Sequence, residues 1–417
     1  MMGLLQSITG LLVFIGIAWS ISENRRRFPI KTVGIGIAAQ IGIGFVLLKF
    51  PLFTKVFFYL NKAVLALEES TRAGTSFVFG YVGGGGTPFE VTNPQAMFIL
   101  AFQALPLVLV ISALSSVFFY WNILPRLVKG FSWLLEKSLR LGGAEGLGVS
   151  ANIFVGMVES PLLIRPYVAK LSRSELFTLM TCGMATIAGT VLVLYATILD
   201  PIIPNVTGHI LTASIISAPA AIVVSKIIIP ARAGELTSGE LEAPEQYYSA
   251  MDALTKGTIQ GIELLLNIIA MIIVLVAMVH LVNIMLGILP YFQGEPITLE
   301  RILGWIMSPV VWLMGIPWAE AYTAGSLMGT KTILNEFIAY IQMSKLPGDA
   351  LSPKSLLIMS YALCGFANPG SLGIMIGGLG AMAPERRNEI VSLGLKSIVA
   401  GTVATCMTGA VVALLEF

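Results

Sequence analysis

The stretch NIFVGMVESPLLIRPY, residues 152–167, places the carboxylate of Glu159 inside an apolar segment that glycine and proline interrupt. A charged side chain at the centre of a bilayer costs at least about 2.5 kcal/mol on insertion scales, so an acid there normally faces a polar cavity or a partner. The stretch therefore predicts a helical hairpin that enters a membrane and presents Glu159 to a cavity. The alternative is that Glu159 pairs with Arg165 or caps a broken helix.

The composition of the whole chain supports a membrane setting. Of 417 residues, 56% are hydrophobic and 12% are charged, which is far from the composition of a soluble domain. The net charge of +2 is spread along the chain, which excludes a nucleic-acid surface. The three cysteines, Cys182, Cys364 and Cys406, lie in apolar segments without metal-ligand spacing and are interpreted as packed hydrophobes.

Apolar segments long enough to cross a bilayer recur throughout the chain, and they predict an all-α integral membrane protein. Two further apolar segments, 143–167 and 313–343, are broken by Gly, Pro, Asn and Glu and are interpreted as re-entrant helical hairpins. The predicted spanning helices are 3–20, 33–50, 95–119, 176–198, 207–229, 262–289, 355–382 and 389–416.

Basic residues predict the orientation, because Lys and Arg near helix ends stay in the cytoplasm. Arg25, Arg26 and Arg27 follow the first helix, so both termini are expected on the external side. With eight spans, the first hairpin enters from the cytoplasm and the second from outside. The amphipathic stretch 121–140 is expected to lie in the interface.

The glycine-rich stretch 80–90 is expected to be a flexible loop. It lacks the Lys and Ser/Thr of a phosphate-binding loop.

The two halves of the chain repeat one pattern. CGMATIAGT, from Cys182, matches CGFANPGSL, from Cys364, and each follows a hairpin glutamate, Glu159 or Glu336. Oppositely entering hairpins followed by matched, interrupted helices form an inverted repeat, which in transporters places the substrate near the bilayer midplane. We therefore expect the two glutamates to meet in one chamber.

NIFVGMVESPLLIRPY, CGMATIAGTVLVLY, TKTILNEFIAY and CGFANPGSLGIMIGGLGAMAPERR resemble the concentrative nucleoside transporters, and the resemblance covers essentially the whole chain. It implies a homotrimer in a bacterial inner membrane, in which a scaffold holds a transport domain that moves as an elevator. It also implies symport of nucleosides with sodium, without an organic cofactor and without enzymatic activity. The predicted segments are 1–142 (mainly scaffold), 143–229 (first transport half), 230–312 (cytoplasmic loop, scaffold helix and external connection) and 313–417 (second transport half).

The resemblance also implies site residues. Glu336, Asn368 and Ser371 bind the ribose hydroxyls, Glu159 faces the base, and Val191 and Phe366 contact the ring; for Phe366, helix packing is the alternative. The implied sodium ligands are the Asn152 side chain, the Val155 carbonyl, the Thr186 hydroxyl and the Ile187 carbonyl, which are hard oxygen ligands. For Asn152 and Thr186 the alternative is a helix cap. Coupling to protons, with Glu159 as the titrating group, is the alternative to sodium.

Two departures from the family pattern bear on the substrate. Met157 and Val158 replace a common Gln-Thr pair, so two hydrogen bonds to the base are missing, and weaker discrimination between bases is expected. Pro369 and Gly370 replace a common Phe-Ser pair and are expected to widen the pocket.

Two other functions were weighed. An intramembrane protease needs paired aspartates or a facing Ser and His within the membrane, which this sequence does not place there. A transporter of another small polar solute stays open, since a fold alone does not fix the ligand.

Overall fold

The computed structural model describes residues 2–92, 97–139, 141–157, 159–231, 237, 247–292, 294 and 296–416, and this part of the chain is helical. Its first nine helices are α1 (Met2–Ser20), α2 (Ile30–Lys49), α3 (Pro51–Phe79), α4 (Leu100–Gln103), α5 (Leu107–Tyr120), α6 (Ile123–Leu139), α7 (Gly143–Asn152), α8 (Glu159–Leu162) and α9 (Arg165–Val168). The others are α10 (Arg173–Ala185), α11 (Gly189–Leu199), α12 (Val206–Ile228), α13 (Ala250–Leu286), α14 (Leu299–Leu313), α15 (Trp318–Ile333), α16 (Glu336–Ser344), α17 (Pro353–Ala362), α18 (Pro369–Met382) and α19 (Arg387–Leu415).

Seven helical segments in the described residues are long and apolar enough to cross a membrane, or eight if one bent pair counts as a span. That pair is α14 and α15, which meet at 119°. The seven are Gly3–Ser20, Ile30–Lys49, Leu100–Tyr120, Arg173–Leu199, Val206–Ile228, Ala250–Leu286 and Pro384–Leu415.

The predicted span 355–382 consists of two short helices, α17 and α18, and is not among the seven candidate spans. Three further helices differ from the sequence prediction. The 29-residue α3 was not predicted, because its lysines, glutamates and arginine lower the hydropathy on which span prediction depends. The helix α14 was also missed, so the second hairpin begins at Trp318 rather than at 313. The helix α13 begins at Ala250 rather than at 262, where Ser249 caps it by accepting a hydrogen bond from the Asp252 N–H.

Both predicted interruptions are present. The segment Thr186–Ala188 separates α10 from α11 with extended backbone, and Leu363–Asn368 separates α17 from α18. Proline at 369 favours the second interruption, since it cannot donate a helical hydrogen bond and it disfavours helical geometry at Asn368.

The two interruptions touch each other. A Cβ atom on Gly365 would lie 2.9 Å from the carbonyl oxygens of Met184 and Ala185. Only glycine allows so close an approach at this position. The second interruption therefore packs directly against the end of α10.

Contacts define one end of the bundle. There Glu23 pairs with Arg173 at 2.9 Å and with Lys396 at 2.7 Å. Its backbone N–H donates to the carbonyl of Ile228, the last residue of α12. The first hairpin starts here, because the Ala144 N–H donates to the Thr237 carbonyl. The N–H and the hydroxyl of Thr237 in turn donate to the carboxylate of Glu175, near the start of α10. The basic residues Arg25–Arg27 follow Glu23 directly.

The opposite end holds the start of α1 and the ends of α2 and α19. Lys49 pairs with Glu416 at 3.0 Å, and Gln6 donates to the Ile316 carbonyl just before α15. The second hairpin therefore starts at the opposite end from the first.

The amphipathic stretch and the cysteines follow the sequence prediction. The helix α6 buries Val128 and Leu135 while Trp133 remains 63% exposed, as an interfacial helix requires. All three cysteines are buried and free. The glycine-rich stretch begins with a single 3₁₀ turn, Gly80–Gly83, at the end of α3, followed by irregular chain.

Candidate functional site

The tip of the second hairpin positions a carboxylate in the protein interior. Asn335 caps α16, since its side chain accepts from the Ile338 N–H at 2.9 Å, and Glu336 is the first residue of that helix. Glu336 is 4% exposed. An acid at a helix N-terminus is favoured by the positive end of the helix dipole, which helps to hold a charge at this depth.

Both carboxylate oxygens of Glu336 accept hydrogen bonds. The Tyr195 hydroxyl on α11 donates to Oε1 at 2.6 Å, and the Asn368 amide donates to Oε2 at 3.1 Å. Asn368 also caps α18, because its Oδ1 accepts from the Ser371 N–H at 2.8 Å. One network therefore joins the second hairpin, the second interruption and the helix that follows the first interruption.

A cavity of about 140 Å³ lies beside this network. Its wall is mainly apolar, with polar groups concentrated at the hairpin and the interruption, which is the usual composition of a small-molecule site. Predicted substrate residues in the wall are Met157, Val191, Glu336, Phe366, Asn368 and Ser371. Gly370 lines the cavity as well, whereas Pro369 is exposed.

The tip of the first hairpin lies against α10 and α11. A Cβ atom on Gly183 would lie 2.8 Å from the Met157 Cβ, so the glycine allows Met157 to approach the helix closely. The Gly189 N–H donates to the Phe154 carbonyl at 2.9 Å. Val158 and the side chain of Glu159 lie outside the described residues, so the expected meeting of Glu159 with Glu336 stays a prediction.

Two of the predicted sodium ligands, Asn152 and Thr186, lie next to each other at the first interruption. Asn152 ends α7 and is 1% exposed, and within the described residues neither polar atom of its side chain has a hydrogen-bond partner. The Thr186 hydroxyl lies 3.2 Å from the Asn152 carbonyl and 2.9 Å from the Cys182 carbonyl. Ile187 is fully buried next to Thr186, and Val155 is half-buried at the hairpin tip.

The buried Asn152 amide does not act as a helix cap. Unpartnered polar atoms are costly in the interior, so such a side chain needs a ligand or a water. Its oxygen and the neighbouring hydroxyl and carbonyl oxygens suit a hard cation.

Sequence reasoning missed Tyr195, Asn335 and Asn267. Tyr195 belongs to an apolar run, where a tyrosine is usually a packing residue; its ring does pack between Phe337 and Tyr340. Asn335 is adjacent to Glu336, and an Asn before an acidic residue and an apolar run is a helix-start signal that could have identified it. Asn267 lines the cavity from α13, whose spanning window is only 6% buried inside the chain.

This arrangement can bind a neutral polar molecule. A carboxylate accepts hydrogen bonds from hydroxyl groups, and the apolar wall suits a flat ring. Because the acceptor is already oriented by Tyr195 and Asn368, a ligand that lacks the hydroxyls would leave a buried charge poorly matched.

Comparison with known proteins identifies the family. Three family models match: the C-terminus of Na⁺-dependent nucleoside transporters over 209–413, their N-terminus over 9–82, and a nucleoside recognition model over 101–202. The uncharacterised transporter YutK of Bacillus subtilis is 38% identical over 98% of this chain and 99% of that protein. Nucleoside permease NupC of Helicobacter pylori is 33% identical over 98% of this chain and 97% of that protein.

Solved structures agree with the sequence comparisons. CNTnw in an inward-facing, substrate-bound state is 32% identical and superposes with a TM-score of 0.89, over 99% of this chain and 98% of that chain. The chain therefore belongs to the family of sodium-dependent, concentrative nucleoside transporters.

Proposed function

We propose that this chain is a symporter that imports nucleosides across a bacterial inner membrane, driven by the sodium gradient. The observation that carries the proposal is the buried Glu336 carboxylate, oriented by Tyr195 and Asn368 at the wall of a mainly apolar cavity. The nucleoside permeases among its relatives support the substrate class.

In the proposed complex the ribose lies at the second hairpin. Glu336, Asn368 and Ser371 bind its hydroxyls, and the base lies toward Val191 and Phe366. The base also faces the first hairpin, where Met157, Val158 and Glu159 complete the pocket.

The proposed sodium site lies at the first interruption, with ligands from Asn152, Val155, Thr186 and Ile187. Sodium bound there coordinates the Asn152 amide oxygen, which has no hydrogen-bond partner within the described residues. It also draws the first hairpin onto the start of α11. Binding of sodium therefore favours the closed pocket and raises the affinity for the nucleoside, and by linkage the nucleoside raises the affinity for sodium equally.

Transport by an elevator movement in a homotrimer is part of the same proposal, with both termini on the external side. The helix α13 suits a scaffold, because it borders the cavity yet has only 6% of its spanning window buried inside the chain. The segments 143–229 and 313–417 would then move together as the transport domain, while 1–142 and 230–312 contribute the scaffold and its connections.

Uptake into proteoliposomes tests the proposal. Labelled uridine should accumulate under an inward sodium gradient, and it should not accumulate under a proton gradient alone. Accumulation with protons alone would replace sodium coupling by proton coupling. In a counterflow experiment, the labelled nucleoside should accumulate in the vesicles chemically unchanged. If amino acids or dicarboxylates rather than nucleosides raise the melting temperature of the protein, the substrate is another solute.

The variant Glu336→Gln tests the ribose assignment. It should abolish measurable uridine binding, because the amide presents a donor where the ribose hydroxyl needs an acceptor. The matched control is Glu320→Gln on the same hairpin, whose carboxylate accepts from Ser352 away from the cavity. Normal uptake by Glu336→Gln would refute the assignment.

Base selectivity gives a further prediction. Met157 is apolar and lines the cavity, so the first hairpin offers few side-chain hydrogen bonds to distinguish purines from pyrimidines. Adenosine, cytidine and inosine should each compete with uridine uptake within about tenfold of one another, since one or two missing hydrogen bonds amount to about 1.4 kcal/mol. A sharp preference for one base in the competition assay would contradict this.

A further inference from the structure

Lys331 is a charged side chain in the interior of the second hairpin to which the proposed binding roles give no task. It belongs to the last turn of α15 and is 0% exposed. Its ammonium group donates to the Ala362 carbonyl at 2.7 Å and to the Thr405 hydroxyl at 2.9 Å. A lysine so deeply buried is rare, because removing an ammonium ion from water costs several kcal/mol unless strong partners replace the water.

The position of this ammonium group has a clear electrostatic reason. The helix α17 ends beside it at Ala362, whose carbonyl accepts one of its hydrogen bonds. The last carbonyls of a helix lack intrahelical partners and carry the negative end of the helix dipole. A cation is therefore favoured at the end of α17, and the Lys331 ammonium group supplies it.

The first half of the inverted repeat has the same junction without a lysine. There α7 ends at Asn152 and α10 ends at Ala185, and these helices correspond to α15 and α17 in the repeat. The Asn152 side chain at this junction has no partner within the described residues, whereas Lys331 satisfies the second junction with two hydrogen bonds. The junction at Asn152 needs an added cation, whereas the junction at Lys331 has a cationic side chain.

We propose that Lys331 is a positioning residue that acts as the fixed counterpart of the coupling cation. Its ammonium group joins α15 to the end of α17 and to Thr405 within α19, so the second hairpin stays assembled with or without sodium. The sodium ion then controls only the first hairpin. This inference rests on the proposed sodium-coupled nucleoside transport.

The lysine acts on the substrate through Glu336. Lys331 in the last turn of α15 and Glu336 at the start of α16 flank the same hairpin tip, and opposite charges so placed attract each other. Without the cation, the Ala362 carbonyl and the Thr405 hydroxyl lose their partner and the junction loosens, so Glu336 loses both an attracting charge and a fixed support. The affinity for the ribose falls even though Lys331 does not line the cavity.

Removal of the charge with its chain length kept is the first test. In the purified full-length protein with saturating sodium, Lys331→Met should raise the Kd for uridine at least about tenfold, in line with the loss of a charge-assisted hydrogen bond. Calorimetry measures this Kd on protein that elutes as a single species. A Kd within about twofold of the parent value would overturn the proposal.

Chemical rescue separates a cation requirement from general damage. Lys331→Ala leaves a space that matches propylammonium, so that ion should restore uridine affinity while the isosteric but neutral 1-propanol should not. The same response to both additives, or to neither, would overturn the proposal. The matched control is Lys226→Met, which removes another buried lysine, paired with Glu145 at 2.6 Å; its melting temperature should fall, but uridine affinity should not respond to propylammonium.

Two further measurements keep the test decisive. If Lys331→Met does not fold, Thr405→Val is the second variant. It keeps the ammonium group but removes one acceptor, and it should raise the Kd for uridine about threefold or more; an unchanged Kd overturns the proposal.

The parent protein separates the two proposals: failure of the parent to bind uridine with sodium refutes the proposed function. A parent that binds normally alongside an unaffected Lys331→Met refutes only the role of the lysine.

Discussion

At the scale of single residues, Tyr195 decides how the Glu336 carboxylate is presented. Its hydroxyl donates to Oε1 at 2.6 Å from a ring that is 2% exposed, between Phe337 and Tyr340. Asn368 donates to the other oxygen, so the carboxylate is held from two sides. A ligand hydroxyl must use the lone pairs that remain, which fixes the direction of its approach.

Removal of this hydroxyl gives a sharp prediction. Tyr195→Phe should raise the KM for uridine about tenfold or more, because a hydrogen bond to a charged group contributes about 1.5–3 kcal/mol. It should raise the KM for 2′,3′-dideoxyuridine much less, since that ligand has no ribose diol to align. Initial uptake rates in proteoliposomes measure both values.

The neighbouring Tyr340 provides the control for that measurement. Its hydroxyl donates to the Ser360 carbonyl at 2.8 Å and does not line the cavity, so Tyr340→Phe removes a buried hydroxyl of the same type. It should lower stability without changing the ratio of the two KM values. The same loss of discrimination in both variants would show that Tyr195 acts only through packing.

The residues that sequence reasoning found and missed have a common explanation. Glu336 and Asn368 attract attention because polar groups are costly in an apolar segment, and the same reasoning selects Glu159, whose role stays a prediction. Tyr195 and Lys331 depend on contacts that no local pattern shows: Tyr195 meets Glu336, 141 positions away, and Lys331 meets Thr405, 74 positions away. A tyrosine in an apolar run and a lysine near a helix end both have ordinary explanations until the fold brings their partners together.

At the scale of helices, the interruptions were predictable and the lengths were not. Glycine and proline in the repeated motif predict where α10 and α17 end, since both residues act directly on the backbone. The amphipathic α3 was missed because its charged face hides its apolar face from a hydropathy average. The bend between α14 and α15 does have a local signal, because Gly315 has a φ of 107° there and Pro317 precedes α15.

The contact between the first hairpin and α11 depends on one glycine. A Cβ atom on Gly189 would lie 2.5 Å from the Phe154 carbonyl oxygen, so Gly189→Ala should push the hairpin tip away. The cost should be about 1–3 kcal/mol, as for other overpacked positions. Because the proposed sodium ligands lie on both sides of this contact, the sodium concentration for half-maximal uptake should rise as the melting temperature falls.

The matched control for this element is Gly377→Ala on α18. Nothing lies within 4 Å of the added Cβ atom there, and alanine favours a helix over glycine by about 1 kcal/mol. This variant should be at least as stable as the parent and keep its sodium dependence. An unchanged sodium requirement in Gly189→Ala would separate the contact from the ion site.

At the scale of the whole molecule, the cavity between α13 and the hairpins is smaller than a typical ligand pocket. Its volume of about 140 Å³ is below the range of roughly 300–1,000 Å³ that is typical of ligand pockets. Leu264, Asn267, Ile268, Ile272 and Leu275 of α13 form one side of it. In the proposed elevator, movement between α13 and the hairpins would enlarge this space for a nucleoside.

One end of the molecule is held by a charged network that predicts a dependence on pH. Glu23 in the loop after α1 pairs with Arg173 and Lys396, and its hydrogen bond from Arg173 is the main cause that lowers its pKa from 4.5 to about 2. A lowered pKa in the folded state stabilises the protein above the unfolded value of 4.5, and this contribution disappears as the pH falls toward about 2.

Glu23→Gln should therefore lower the melting temperature at neutral pH, by an amount that corresponds to about 1 kcal/mol or less for partly exposed pairs. The difference from the parent should shrink below pH 4.5, whereas Glu416→Gln, which breaks only the pair with Lys49 at the other end, should have a smaller effect at neutral pH. Thermal melts in detergent at several pH values measure both variants, and a Glu23→Gln deficit that stays constant as the pH falls to about 2 would show that the carboxylate acts by packing rather than by charge.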